Sequence, residues 1–349
     1  MRLEPRQDVG LVLLIAAPAG AIVAALLLAA VPLAFAQVSL VDAYRLMATG
    51  ALGGQFAITE TLTRATPLIL TGLAVTAAFR AKLWNIGAEG QLYAGAMVAV
   101  LVASYAWIDS SLVMIAVMLL AGAAAGAVLL IVPTLLKTRL GVDEVVTTLL
   151  LNFVVLLFVS MMLEGPLQDP MSMGWPQSEP IAAIAELPDL IARTRLHIGF
   201  LVAIAAAVAL WLVINRTRWG FEMRAVGANV DAARFAGMPV GRVMLLTAIL
   251  SGGLAGLAGV GEVAGVRGYL TLDLSPGFGY TGIVVAMLAQ LNPLGVVASA
   301  VFIAAIFVGA DSMGRALGVS SYIADLVVAF ALLAMLVAGL VTRYRLRRG

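Results

Sequence analysis

From Leu112 to Leu136 the sequence runs 25 residues without an Asp, Glu, Lys or Arg. A run of that length and polarity suits the hydrocarbon core of a bilayer, about 30 Å thick, and only a helix or a closed barrel can cross it with every backbone group paired. Comparable apolar runs recur along the chain, at about 9–35, 65–79, 83–108, 145–163, 196–214, 243–263, 281–291, 294–310 and 322–341. The fold class expected is all-α, a polytopic membrane protein of about ten transmembrane helices forming a single transmembrane domain over 1–349. Composition agrees: 62% of residues are hydrophobic and 11% charged, against about 25% charged in soluble domains.

The polar residues fall between these runs. Residues 37–64, which include Asp42, Arg45, Glu60 and Arg64, are expected to form an external segment with a partly helical interfacial stretch. Residues 164–195 carry Pro166, Pro170, Pro176, Pro180 and Pro188 and are expected to form an external loop. Residues 215–242 form a basic loop. A layout with both termini in the cytoplasm places fifteen of the 21 basic residues inside, including Arg216, Arg218, Arg224, Arg234 and Arg242 of that loop, as the positive-inside bias requires. An eleventh span would put the basic tail, Arg343 to Arg348, outside. The pI near 9.1 therefore reflects orientation in the membrane and gives no case for nucleic acid.

Several chemistries lack their residues. The chain has no Cys and one His, His197, so thiol nucleophiles, disulfides and His-dependent metal chemistry have little to build on. The only lysines, Lys82 and Lys137, follow Ala81 and Leu136 rather than the Gly of a phosphate-binding loop. No enzyme activity is expected of this chain, and ATP hydrolysis in particular is not.

Within the basic loop, Asn229 is a good N-cap, Asp231 lies in the first turn, Arg234 in the last, Gly237 suits the left-handed position after a helix, and Pro239 forbids continuation. The expected helix, Val230 to Ala236, is too short to be stable alone, so Phe235 is expected to anchor it on a partner. The run Gly227-Ala-Asn229-Val230-Asp231-Ala-Ala233-Arg234-Phe235-Ala-Gly237 resembles the cytoplasmic coupling loop of bacterial ABC importer permeases of the nucleoside and simple-sugar subfamily, related to the ribose and branched-chain amino acid permeases. A second run, Ala81-Lys-Leu-Trp-Asn-Ile-Gly-Ala-Glu-Gly-Gln-Leu92, is similar to the same subfamily, and the likeness extends over about 62–340.

That resemblance implies a permease of the bacterial inner membrane, moving nucleosides or simple sugars inward. It also implies its partners. A separate ABC ATPase would hold the ATP and Mg and dock on Asn229, Val230, Asp231, Ala233, Arg234, Phe235 and Gly237. A second permease, copy or paralogue, and an extracytoplasmic substrate-binding lipoprotein would complete the assembly, with no cofactor in this chain.

Polar residues inside apolar runs are costly and mark candidate pathways. Asn85, Glu89, Gln91, Asn152, Gln290 and Asn292 are the candidates here. For Glu89 the structural alternative is that its carboxylate caps a broken helix. The glycines from Gly252 to Gly268, with Gly122 and Gly126, are expected to be close-packing faces. The stretches 85–91 and 275–282 would enter matched spans from opposite sides, which suggests a 5+5 inverted repeat. An ion-coupled secondary transporter is the competing class, and a permease for ribose, a riboflavin-like solute or a branched-chain amino acid the competing substrate assignment.

Overall fold

The computed structural model describes residues 2–5, 20, 23–24, 27–35, 37–104 and 108–347. The first expected span, 9–35, lies largely outside the described residues. Twelve helices organise the rest: α1 Leu40–Leu52, α2 Gln55–Arg80, α3 Ala88–Ser104, α4 Ser111–Leu140, α5 Glu144–Leu163, α6 Gly199–Arg216, α7 Arg218–Ala228, α8 Val230–Phe235, α9 Val240–Glu262, α10 Phe278–Leu288, α11 Pro293–Leu317 and α12 Ser321–Arg343. A π-helical turn, Val263–Arg267, extends α9. Strands Arg2–Pro5 and Tyr344–Arg347 pair antiparallel.

Among the described residues, six helices are long and apolar enough to cross a membrane: α2, α4, α5, α6, α9 with its π turn, and α11. Helices α3 and α10 are apolar but shorter. The chain is therefore an all-helical multi-pass membrane protein. Helix α2 starts ten residues before the expected span at Ala65, because the polar residues ahead of it are accommodated as helix. The Thr59 and Thr63 hydroxyls donate to the Phe56 and Thr59 carbonyls one turn back, and Thr61 donates to the Ala51 carbonyl.

The chain forms two compact units, residues 1–64 with 301–349, and residues 65–300. In the first, Ala29, Leu33, Ala43, Ala310, Met313 and Val328 form a buried cluster. Arg64 pairs with Asp311 at 3.3 Å and lies over the Phe307 ring.

The second unit is built on α3, α4 and α9, whose backbones touch through glycines. A Cβ on Gly126 would strike the Gly252 carbonyl, one on Gly95 or Gly122 would strike Gly256 or Val260, and one on Gly259 would strike the Leu92 carbonyl. Small residues permit this approach, and van der Waals contact rather than hydrophobicity drives helix association in lipid. Gly265 abuts the His197 ring, whereas Gly268 has nothing near its Cβ position and serves as a left-handed stop at φ +77°.

Residues 164–198 form a folded cap rather than a free loop. Ser178, Ile181 and Leu187 donate backbone N–H groups to the carbonyls of Leu270, Gly268 and Ala264. His197 is buried, and its Nδ1 accepts from the Gly199 N–H at 3.1 Å. Burial pushes its pKa down to about 4, with Asp189 opposing.

Candidate functional site

Between α2 and α3, residues 81–87 leave helical geometry. They lie deep in the helix packing, since Asn85 is buried and Glu89, just beyond them, is buried against the first turn of α10, where Thr71 of α2 also bonds the Phe278 carbonyl. Non-helical backbone at such a depth is tolerated only where protein satisfies its polar groups. Helix α5 supplies partners from one face at a spacing of four: Glu144 Oε1 accepts the Trp84 N–H at 3.2 Å, Thr148 Oγ1 accepts the Ile86 N–H at 3.2 Å, and Asn152 Oδ1 accepts the Gly90 N–H, in the first turn of α3, at 2.9 Å. Asn152 also donates from Nδ2 to the Ile86 carbonyl at 2.9 Å and to the Tyr280 hydroxyl at 3.1 Å.

A second knot sits beside it. Asn85 and Gln91 exchange amide hydrogen bonds at 2.9 and 3.0 Å, Asn85 Nδ2 also donates to Ser251 Oγ of α9, and Asn85 Oδ1 accepts the Gly87 N–H. Ser251 passes the chain on to the Ala74 carbonyl at 2.7 Å. Asn85, Gln91, Asn152 and Ser251 are all buried. Glu89, also buried, accepts the Gly279 N–H at 2.6 Å on Oε2, in the first turn of α10. A Cβ on Gly279 would strike the backbone of Glu89 and Ala88, so the first turns of the two short helices are in contact. The cavity beside this cluster, lined by Gly87, Gly90, Thr148 and Asn152 among others, is about 10 Å³, no more than one water needs.

The structure thus brings Asn85, Glu89, Gln91 and Asn152 into one region and leaves Gln290 and Asn292 out of it. Both of the latter are exposed, and Asn292 Oδ1 caps α11 by accepting the Leu294 N–H. Sequence reasoning passed over Glu144, Thr148, Ser251 and Tyr280. The i, i+4, i+8 spacing of Glu144, Thr148 and Asn152 was the available signal; Ser251 and Tyr280 had none beyond neighbouring glycines.

The basic loop, 215–242, holds two helices. Thr217 caps α7 by accepting the Gly220 N–H at 3.0 Å, and Asn229 both ends α7 and caps α8, accepting from the Asp231 and Ala232 N–H groups at 3.0 Å. Helix α8 ends one residue before the expected Ala236. The Met238 N–H then returns to the Ala233 carbonyl across Gly237, at φ +78°, which no side chain adopts readily. Arg234 pairs with Asp231 at 3.3 Å on the surface. Ala233 faces inward, and Phe235 is 96% exposed. Helix α7 was not anticipated, and it carries Gly220 and Gly227. Both are contact points: a Cβ on Gly220 would strike the Val213 carbonyl of α6, and one on Gly227 the Arg80 carbonyl.

With this geometry in hand, comparison with known proteins decides the class. Residues 57–338 match the family described as branched-chain amino acid transport system / permease component. The chain belongs to this family. The permease is 37% identical to the glucose ABC transporter permease protein of Haloferax volcanii, over 99% of this chain and 93% of that one. It is 35% identical to the guanosine ABC transporter permease protein of Bacillus subtilis, over 84% and 85% of the two chains. It is 33% identical to the nucleoside ABC transporter permease protein of Lactococcus lactis, over 75% and 74%. The resemblance expected from the two motifs is therefore right: the chain is a membrane-spanning permease subunit of an ABC importer, and its family is one of transport components, not enzymes. Membership implies an ATPase and a substrate-binding protein as working partners.

Proposed function

We propose that this permease carries nucleosides or related simple sugars inward. Two of the three relatives named above are permeases for guanosine or for nucleosides and the third for glucose, which supports an uncharged, hydroxyl-rich solute. An uncharged solute gains little from a fixed charge in a low-dielectric passage, and the polar cluster is made chiefly of amides and hydroxyls. Glu89 and Glu144 are the exceptions, the first with its carboxylate directed at the N-terminal turn of α10 and the second accepting the Trp84 N–H and paired with Lys137.

The observation that carries the coupling arm of this reading is the exposed Phe235 on a doubly capped six-residue helix. Such a helix presents one aromatic anchor and lacks the length to exist for its own sake, which suits a groove on a separate ATPase holding ATP and Mg. We place the docking surface at Asn229, Val230, Asp231, Ala233, Arg234, Phe235 and Gly237. A second permease, copy or paralogue, and a binding lipoprotein outside complete the assembly. Ten spans with both termini in the cytoplasm fit this placement. The pairing of Arg2–Pro5 with Tyr344–Arg347 supports an even number, since it joins the two ends of the chain. The short helices α3 and α10, each entered through non-helical backbone, suit the matched members of an inverted repeat.

The test is uptake in proteoliposomes holding the whole importer. Guanosine, adenosine, uridine, ribose and glucose compete for uptake if the reading holds, and leucine does not. Competition by leucine alone refutes the substrate assignment; uptake driven by an ion gradient without ATP refutes the coupling.

A further inference from the structure

Helix α10 is gripped along its length by α2. Near its start, Thr71 Oγ1 donates to the Phe278 carbonyl at 3.0 Å, and a Cβ on Gly282 would strike Thr71. In its middle, a Cβ on Gly72 would press on Val285. At its end the contact changes from packing to a charged clamp: Arg80 donates from Nε and Nη2 to the Leu291 carbonyl at 3.0 and 2.9 Å. That carbonyl belongs to an unusual turn. Gln290 and Leu291 are consecutive non-glycine residues in the left-handed region, at φ +52° and +57°, a conformation side chains disfavour and tertiary contacts must hold.

The other side of Arg80 faces the cytoplasmic loop. Its own carbonyl is the atom that a Cβ on Gly227 would strike, and two residues on, Lys82 Nζ donates to the Ala228 carbonyl at 3.1 Å. The last turn of α7 therefore rests on Arg80, and α8 begins immediately after, capped by Asn229. At the far end of α10, the Gly279 N–H is held by Glu89 inside the polar cluster. One residue is thus in contact with both the docking loop, through its backbone, and the end of the half-length helix, through its side chain.

We propose that Arg80 is the positioning residue that carries movement of the docking loop to α10, and through α10 to the polar cluster. This rests on the docking reading given above. Loss of the guanidinium frees the Leu291 turn, so that displacement of α7 and α8 no longer moves α10. ATP hydrolysis then continues without proportionate transport.

The experiment uses the complete importer in proteoliposomes and measures guanosine imported per ATP hydrolysed. In Arg80→Met that ratio falls about tenfold or more, the effect of losing a hydrogen-bonded charge. In Arg80→Lys, which keeps one donor, it falls less. A merely structural role lowers hydrolysis and uptake in parallel and leaves the ratio unchanged, and that result in either variant overturns the proposal, as does an unaltered ratio with normal rates. Should Arg80→Met fail to reach the membrane, Arg80→Lys carries the same test. Co-purification separates the two readings. If Phe235→Ala retains the ATPase and full transport, docking at α8 is wrong. If Phe235→Ala loses the ATPase while Arg80→Met keeps both ATPase and ratio, docking stands and the Arg80 link is wrong.

Discussion

Replacing Asn152 by Leu keeps the branched shape and the heavy-atom count of the side chain, at a larger volume, and removes the hydrogen bonds of its amide. In the intact protein that amide serves the Gly90 N–H, the Ile86 carbonyl and the Tyr280 hydroxyl, all at 2.9 to 3.1 Å. Leucine at this site leaves the Ile86 carbonyl of the non-helical stretch and the Gly90 N–H of the first turn of α3 without that partner, in a space that holds about one water. Each unsatisfied buried group costs about 1–3 kcal/mol, so the local penalty is about 2–4 kcal/mol after partial relaxation. Opening of the 84–91 backbone then becomes about 30-fold to 800-fold more frequent, a change that amide hydrogen exchange on the purified permease reads directly. Asn152→Asp keeps the acceptor for Gly90 and loses the donors, and its exchange falls between the two. Under the transport reading, uptake falls several-fold in Asn152→Leu. Unchanged exchange across 84–91 in Asn152→Leu refutes the argument, whatever happens to uptake.

Phe235→Ala and Arg234→Glu are expected to abolish ATP-driven uptake while the permease still inserts, measured as transport against membrane content; normal uptake in both removes α8 as the docking element. With no native Cys, a cysteine at Met173, which is fully exposed, is expected to react with an impermeant maleimide from outside intact cells, and one at Ala228 only after lysis; the reverse pattern inverts the orientation. His197 predicts a pH dependence of the 164–198 cap. Its folded pKa is depressed from 6.5 to about 4, so the stability it confers is complete above 6.5 and is lost as pH falls from there to 4, a loss of up to about 3 kcal/mol. Protease resistance of the cap is expected to drop between pH 7 and pH 4.5 and to lose this dependence in His197→Gln; equal dependence in both sinks it.

What could be read from the sequence divides along physical lines. Helix α8 was legible to within one residue, because its signals are local: an Asn cap, an acid in the first turn and a left-handed Gly at the exit all act within four residues. The apolar runs were legible for the same reason, each being a property of one segment. Helix α7 was not, because what its Gly220 and Gly227 serve, the approach of Val213 and Arg80, is a tertiary contact with no local signal. The early start of α2 was hidden by threonines and charges that a water-facing segment would also carry, and their partners one turn back are visible only in three dimensions. Gln290 and Asn292 were chosen by their place at the end of an apolar run, yet helix α10 stops at Leu288, and Asn292 is spent capping the next helix. Position in a sequence gives depth along a span; it does not give the side a residue faces.

That distinction bears on how a neutral solute is handled. Both donors and the acceptor of Asn85 are engaged by Gln91, Ser251 and Gly87, and both donors of Asn152 by Ile86 and Tyr280. Groups so committed bind a ligand only by giving up a partner, so their exchange energy for a sugar hydroxyl is close to zero. Under the reading proposed here such a surface suits a passage that must not retain its cargo, with selectivity left to the binding protein. Glu89→Gln tests the point, since glutamine keeps an acceptor for Gly279 while removing the charge. If the carboxylate only holds α10, uptake of guanosine in Glu89→Gln is within a few-fold of normal and Glu89→Leu is far worse. If the two substitutions are equally damaging to uptake in an importer that still assembles, the charge itself acts on the cargo, and the picture of a neutral, weakly binding passage fails.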